Sequence, residues 1–193
     1  LIVVRGNRQD VYLPYSIASA YDPQHPGEFE LAAAYGAGAD VMDALALGAT
    51  LECEGPFGDF VWQPEPSAAA LFVGVGTGVA PLRALIEEEL LRPTQTRLLL
   101  IAGHRAPEDV LFDADFRALA ETHVRFRFLP TLTLPSKSWL GDRGRVQAQL
   151  TAAAQALGIF DAYVCGRVDM VTEVVFELTR IGVAPDRIRS EGF

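Results

Sequence analysis

Cysteine is nearly absent from this chain: Cys53 and Cys165 are the only two among 193 residues. Two thiols cannot complete a Cys-ligated zinc or iron–sulfur site, and they are too sparse for a disulfide framework. No metal centre is expected within these residues, and a reducing, cytoplasmic setting fits the thiol content. Lysine occurs once, as Lys137 in a loop-like segment, which leaves little for the Tyr-Lys acid–base pair of a conventional alcohol-type dehydrogenase. No apolar run approaches the roughly 20 residues of a membrane span, and the opening LIVVRG lacks the pattern of a signal peptide. Basic residues number 16 against 25 acidic ones, a net charge of -9. That balance argues against broad contact with nucleic-acid phosphates or an anionic membrane, while leaving room for a local basic pocket.

What is present is half apolar and long enough for two small domains. Up to about residue 63, short β-type runs (LIVV, the stretch through Tyr15, EFELAAAY, TLECEG and DFVW) are separated by Gly, Pro, Asn and Asp turns. They predict a small antiparallel sheet or β-barrel over 1–64. Roughly 65 residues with open strand edges make a marginal barrel, so about 30 or more residues are expected ahead of Leu1 in the natural polypeptide. The Pro-containing segment QPEPSAAA reads as a connection. Over 65–193 apolar strands alternate with helical patterns, which predicts a parallel α/β nucleotide-binding domain. The fold class expected is therefore α+β with two domains.

The most informative segment is the turn after the first of those strands, Gly74-Val75-Gly76-Thr77-Gly78-Val79-Ala80-Pro81. Glycines allow positive φ and close approach of backbone to an anion, and Pro81 suits a first helical turn. Amides at the start of the following helix would face a pyrophosphate, aided by the helix dipole, with Thr77 adding a hydroxyl. A tight strand-to-helix corner without a ligand is the alternative. The common dinucleotide fingerprint is not met: its third glycine falls on Val79, and no Lys-Ser/Thr pair follows to make a triphosphate loop. The second strand ends in His104 and Arg105 rather than an acidic residue.

With Leu13-Pro14-Tyr15-Ser16-Ile17-Ala18-Ser19, Gly55-Pro56-Phe57-Gly58-Asp59-Phe60, Gly103-His104-Arg105, Cys165-Gly166 and Glu191-Gly192-Phe193, the chain resembles the ferredoxin-NADP reductase family of flavoproteins over essentially its whole length. The resemblance implies a flavin-binding barrel ahead of a nicotinamide-nucleotide domain. It places Tyr15, Ser16, Ile17 and Ser19 at the flavin, with Tyr15 packed on the ring and Ser16 at the ring edge. Gly38 and Asp40 align with a phosphate-binding helix start. Gly74, Gly76, Thr77, Gly78, Pro81, Arg105 and Thr133 fall to the nicotinamide nucleotide, and Cys165 with Gly166 to the nicotinamide itself. Glu191 and Phe193 form the ending that sets a ring near the flavin, and Phe193 would act as a gate. Ser16, Cys165, Glu191 and Phe193 are thus the catalytic candidates.

The implied cofactors are FAD, with FMN as an alternative, and NADH or NADPH as electron donor. The implied function is an NAD(P)H-dependent reductase that feeds an iron–sulfur, haem or oxygenase partner in another chain or domain. Three positions depart from the pattern. Leu13 stands where the family has a phosphate-binding Arg, and Asp40 where it has Ser or Thr. A carboxylate about 5 Å from a phosphate charge costs on the order of 3 kcal/mol at an effective dielectric near 20. Leu134 replaces the Arg that grasps a 2'-phosphate, a slight lean to NADH, although His104 and Arg105 are expected to act as opposing cations. A nucleotide-binding or regulatory module with weak or lost flavin binding is the second reading.

Overall fold

The computed structural model describes residues 1–5, 12–34, 45–63 and 68–193, with only the backbone of Arg5 and Tyr12. Gly38, Asp40 and the expected boundary at 64/65 lie outside the described residues.

Strand β1 (Ile2–Arg5) is the centre of a small antiparallel sheet, flanked by β2 (Tyr12–Tyr15) and β3 (Cys53–Glu54). Its register sets Val4 opposite Leu13 on one side and Cys53 on the other. Among the described residues this sheet does not close into a barrel. Two expected strands are not found among the described residues. Among its described residues EFELAAAY contributes an isolated bridge from Leu31 to Ile17, where the Glu30 amide is taken by Ser19 Oγ rather than by a neighbouring strand. DFVW alternates like a strand, yet its rings pack sideways: Trp62 stacks on Tyr163 at 5.3 Å and Phe60 meets the same ring edge-on at 6.0 Å.

The second unit is a six-stranded parallel sheet. Its strands are β4 (Ala69–Val75), β5 (Arg97–His104), β6 (Phe126–Leu132), β7 (Asp142–Arg143), β8 (Asp161–Gly166) and β9 (Ile188–Gly192). Their order is β7-β6-β5-β4-β8-β9. Strands buried on both faces need helices above and below. One face carries α1 (Val79–Leu91) and α2 (Asp113–Thr122), whose Val79, Leu82, Ile86 and Phe116 close over Phe72, Leu100, Tyr163 and Cys165. The other carries α3 (Leu150–Leu157) and α4 (Val168–Arg180), with Leu150, Val174 and Leu178 over Leu71, Val73, Ile101 and Val164. No helix among the described residues is long and apolar enough to cross a membrane.

The expected helix over PEDVLFDADFRALAE is shorter than its pattern. Residues Pro107–Asp109 form a 3-10 turn, and Phe112 takes a left-handed conformation (φ 58°) just before α2. The Asp109 carboxylate accepts the Ala106 amide at 3.0 Å, a local bond that competes with helix extension. Strand β7 has only two residues and no sequence pattern to announce it.

The sheet reverses its winding between β4 and β8, the place where open α/β sheets leave a crevice at the strand ends. Gly78 lies across that point. A Cβ there would stand 2.6 Å from the Cys165 carbonyl carbon and 2.6 Å from Cα of Gly166, both backbone atoms that cannot swing aside. Gly78→Ala is expected to destabilise the protein by about 3 kcal/mol, the upper part of the usual overpacking range. Gly27→Ala, with nothing within 4 Å of its added carbon, should stay within about 0.5 kcal/mol; urea unfolding midpoints compare the two.

Candidate functional site

The three glycines of the turn are required for three different reasons. Gly76 has φ +53° and open space around its missing side chain, so it bends the chain while leaving backbone accessible to a ligand. Gly74 admits helix α1, since a Cβ there would be 2.8 Å from Cδ1 of Leu82. Gly78 admits the end of β8, as above. The close approach expected between glycine backbone and anion is therefore available at Gly76; at Gly74 and Gly78 it is an approach between parts of the protein. Pro81 is the third residue of α1 and is buried.

Two clefts open from this turn. The first, about 650 Å³, lies beyond the ends of β4, β5, β6 and β8 and is lined by Gly76, Thr77, Arg105, Thr133 and Phe193, together with His104, Asp109, Arg145, Arg167, Asp169 and Glu173. Thr133 is held by its amide, which donates to the His104 carbonyl at 3.1 Å; the next amide, of Leu134, donates to the Arg105 carbonyl at 2.7 Å. Arg167 is paired with Asp169 at 2.9 Å and Arg145 with Glu173 at 3.7 Å. Arg105 is exposed and makes no ion pair among the described residues. His104 does not supply the second cation expected of it. Its ring is buried, Nε2 has no partner among the described residues, and burial pushes its pKa below the ordinary 6.5 against the pull of Asp109 and Asp113. The imidazole is neutral at pH 7.

The second cleft, about 600 Å³, lies between the two units. Tyr15 and Ser16 face it from the end of β2, Ala32, Ala33, Ala34, Gly58 and Asp59 from the loops, and Thr77, Glu191 and Phe193 from the parallel unit. Thr77, Phe193 and Ala34 line both clefts, so the two spaces meet at the glycine turn and the terminal aromatic ring. Phe193 is 58% exposed, and its amide donates to the Gly166 carbonyl at 3.1 Å. Burial raises the Glu191 carboxyl above its ordinary range, and Asp59 adds to the effect.

Several predicted positions fall elsewhere. Ile17 and Ser19 line a neighbouring groove with Ser16 and Glu191, and Ser19 Oγ accepts the Glu30 amide at 3.0 Å. Cys165 lines neither cleft. Its side chain is fully buried on the α1 face of the sheet, and desolvation, with Glu191 adding repulsion, pushes the thiol up to about 12. What Cys165 and Gly166 give the site is backbone: the floor against Gly78 and the carbonyl that holds Phe193. The sequence reading missed Arg145, Arg167, Asp169 and Glu173. Arg167 and Asp169 directly follow a parallel strand, a position from which crevice residues are expected.

Residues 72–175 match the family model of the oxidoreductase NAD-binding domain. A ferredoxin–NADP reductase B of Sorangium cellulosum is 35% identical over 195 residues, 95% of this chain and 79% of that protein. The chain belongs to the ferredoxin-NADP reductase family. NADH-cytochrome b5 reductase 1 of Dictyostelium discoideum is 30% identical over 146 residues, 74% of this chain and 50% of that one. Among solved structures, a cytochrome P450 reductase from Amycolatopsis superposes on 100% of this chain with a TM-score of 0.85 at 27% identity, and this chain covers 59% of it. The chain thus spans most of the first relative, half of the second and 59% of the third.

Two measurements follow from the buried groups. In the native protein at pH 8, a disulfide reagent such as DTNB should titrate one thiol rapidly, the exposed Cys53, and the second only after denaturation; two fast thiols would contradict the burial of Cys165. For His104 the folded state disfavours the proton, so the unfolded chain takes it up first as the pH falls through 6.5. Stability should therefore decline on acidification below that value, with a shallower decline in His104→Gln.

Proposed function

We propose that the chain is an NAD(P)H-dependent flavoprotein reductase that passes electrons to an iron–sulfur, haem or oxygenase partner in another chain or domain. The observation that carries this reading is the meeting of the two clefts at Thr77 and Phe193. A nucleotide held on the glycine turn in the first cleft would lie next to the second cleft at these shared residues.

The second cleft suits the ring of a flavin. It offers two aromatic side chains, Tyr15 and Phe193, a hydroxyl at Ser16, and small residues at Ala32, Ala33 and Gly58 that leave room for a flat heterocycle. When bound there, FAD supplies a centre that accepts two electrons from a nicotinamide and releases them one at a time. The residues of this chain bind and align. Gly76 and the first amides of α1 would take the pyrophosphate, Thr77 stands at the junction, and Phe193, 58% exposed and held by a backbone hydrogen bond to Gly166, is placed where its ring could yield the space beside a flavin to a nicotinamide. Glu191, holding its proton to higher pH than a free carboxyl, faces the same cleft and can return a proton to the site. Stacking at contact distance and exclusion of water are what such a reaction asks of a protein.

Donor choice leans to NADH. Leu134 occupies the position of a 2'-phosphate Arg and is exposed, and the neutral His104 removes one of the two opposing cations, leaving Arg105. Leu13 makes a tight flavin-phosphate contact unavailable from β2, which keeps FMN in contention and supports the second reading, a nucleotide-binding module without stable flavin.

Titration with FAD and FMN separately, followed by anaerobic addition of NADH or NADPH, tests these points. The expected outcome is micromolar binding of at least one flavin and bleaching near 450 nm, faster with NADH. Nucleotide binding without flavin binding would favour the module.

A further inference from the structure

Helix α1 begins at the nucleotide turn, and one turn further on it carries a buried arginine that lines neither cleft. Arg83, only 9% exposed, donates from Nη1 to the Ala18 carbonyl at 3.1 Å and to the Glu30 carboxylate at 2.5 Å. Its Nε lies 2.8 Å from Glu87 and its Nη2 3.2 Å from Asp115, and its guanidinium sits 4.6 Å from the centre of the Phe112 ring. Glu87 completes the grip from the same helix by accepting the Ala20 amide at 3.0 Å. The gripped segment is braced from behind, where the Ala18 amide donates to the Glu30 carbonyl at 2.8 Å and the Glu30 amide to Ser19 Oγ at 3.0 Å.

The segment so held, 18–20, begins two residues beyond Ser16, and the helix that holds it begins two residues beyond Thr77. One side chain therefore ties the backbone behind the flavin-side residues to the element that positions the nucleotide. The contact is directional. A planar guanidinium can hydrogen-bond a carbonyl and a carboxylate through Nη1 while two further carboxylates lie within ion-pair distance of Nε and Nη2, an arrangement a compact ammonium does not offer. It is also charge-critical: without Arg83, the carboxylates of Glu30, Glu87 and Asp115 face one another, and burial already raises the Glu87 carboxyl above its ordinary value.

We propose that Arg83 is a positioning residue: by holding the Ala18 carbonyl, and with Glu87 the Ala20 amide, it fixes the separation of Tyr15 and Ser16 from Thr77. It thereby governs how well a nicotinamide in the first cleft meets a flavin in the second, rather than the affinity for either. This rests on the reductase reading above. A misplacement of about 1 Å in reacting groups costs up to roughly a hundredfold in rate, so a loosened clamp acts on the transfer step.

The test uses Arg83→Met and Arg83→Lys beside the unaltered protein. For the Met variant the dissociation constants of NAD and of FAD should stay within about threefold, while the anaerobic bleaching rate at saturating NADH falls by roughly tenfold or more and the long-wavelength charge-transfer absorbance weakens; Lys should restore part of both. Loss confined to KM, or no loss, would overturn the proposal. Glu30→Gln, which weakens the clamp from its exposed side, should give a smaller fall in the same rate and serves if the Met variant does not fold. Amide hydrogen exchange separates the two readings. If the unaltered protein is not bleached, the reductase reading fails, yet Arg83→Met should still speed exchange at Ala20 by about tenfold with Val73 unchanged. Unchanged protection of Ala20 would sink the clamp whatever the flavin does.

Discussion

Between Gly78 and the end of β8 there is no room for a methyl group, and the geometry of both clefts follows from that contact. It lets the first turn of α1 lie directly over the place where the sheet reverses its winding. Thr77 is then carried to the border between the units. Gly166, pressed from the other side, presents its carbonyl to the amide of Phe193, so the last ring of the chain hangs at the same border. A side chain at position 78 would push the turn away from β8 and away from the aromatic ring that lines both clefts. The glycine thus acts as a spacer of the fold before it acts on any ligand.

Charge is handled by local pairing. The chain is strongly acidic, yet the first cleft contains three arginines, two of which are matched by carboxylates of their own neighbourhood, Asp169 and Glu173. An anion in such a cleft would be attracted mainly by backbone amides and the helix terminus, with Arg105 the lining arginine that has no ion pair among the described residues. Two buried groups near the clefts, the His104 ring and the Cys165 thiol, are both held neutral by desolvation. Neither adds a fixed charge beside the place where a nicotinamide would change its own.

How far the sequence could be read depends on whether its patterns are local. The parallel strands were legible because each is apolar throughout and flanked by a helical period. The turn was legible because its glycines, Thr77 and Pro81 are contiguous, and Tyr15, Ser16, Arg105, Thr133 and Phe193 were found through the family resemblance and do line the clefts. The pairing of Arg145 with Glu173 was not legible, since it depends on packing between segments 28 residues apart. DFVW misled because Phe60 and Trp62 alternate as in a strand, although their rings are spent on Tyr163. Cys165 is the instructive case. Its place at a strand end suggested a crevice residue, but residues two apart share a face of a sheet, and Cys165 shares that of Tyr163, which is buried under α1.

The junction of the two units separates strength from spacing. Trp62, Tyr163 and Phe72 form a stack with centroids 5.3 to 6.0 Å apart, and the Gln63 amide donates to the Tyr163 hydroxyl at 3.2 Å. Burying one such ring contributes on the order of 2–3 kcal/mol, but stacked flat surfaces tolerate sliding, because the hydrophobic term has no direction. Apolar packing therefore keeps the units together without fixing the distance across the second cleft to a fraction of an ångström. Hydrogen bonds to backbone groups do fix it, and those reaching Ala18 and Ala20 come from Arg83 and Glu87 on α1. The same helix whose first turn is spaced by Gly78 thus bears on both clefts, on the first by its start beside Thr77 and on the second by the turn that holds Ala18 and Ala20.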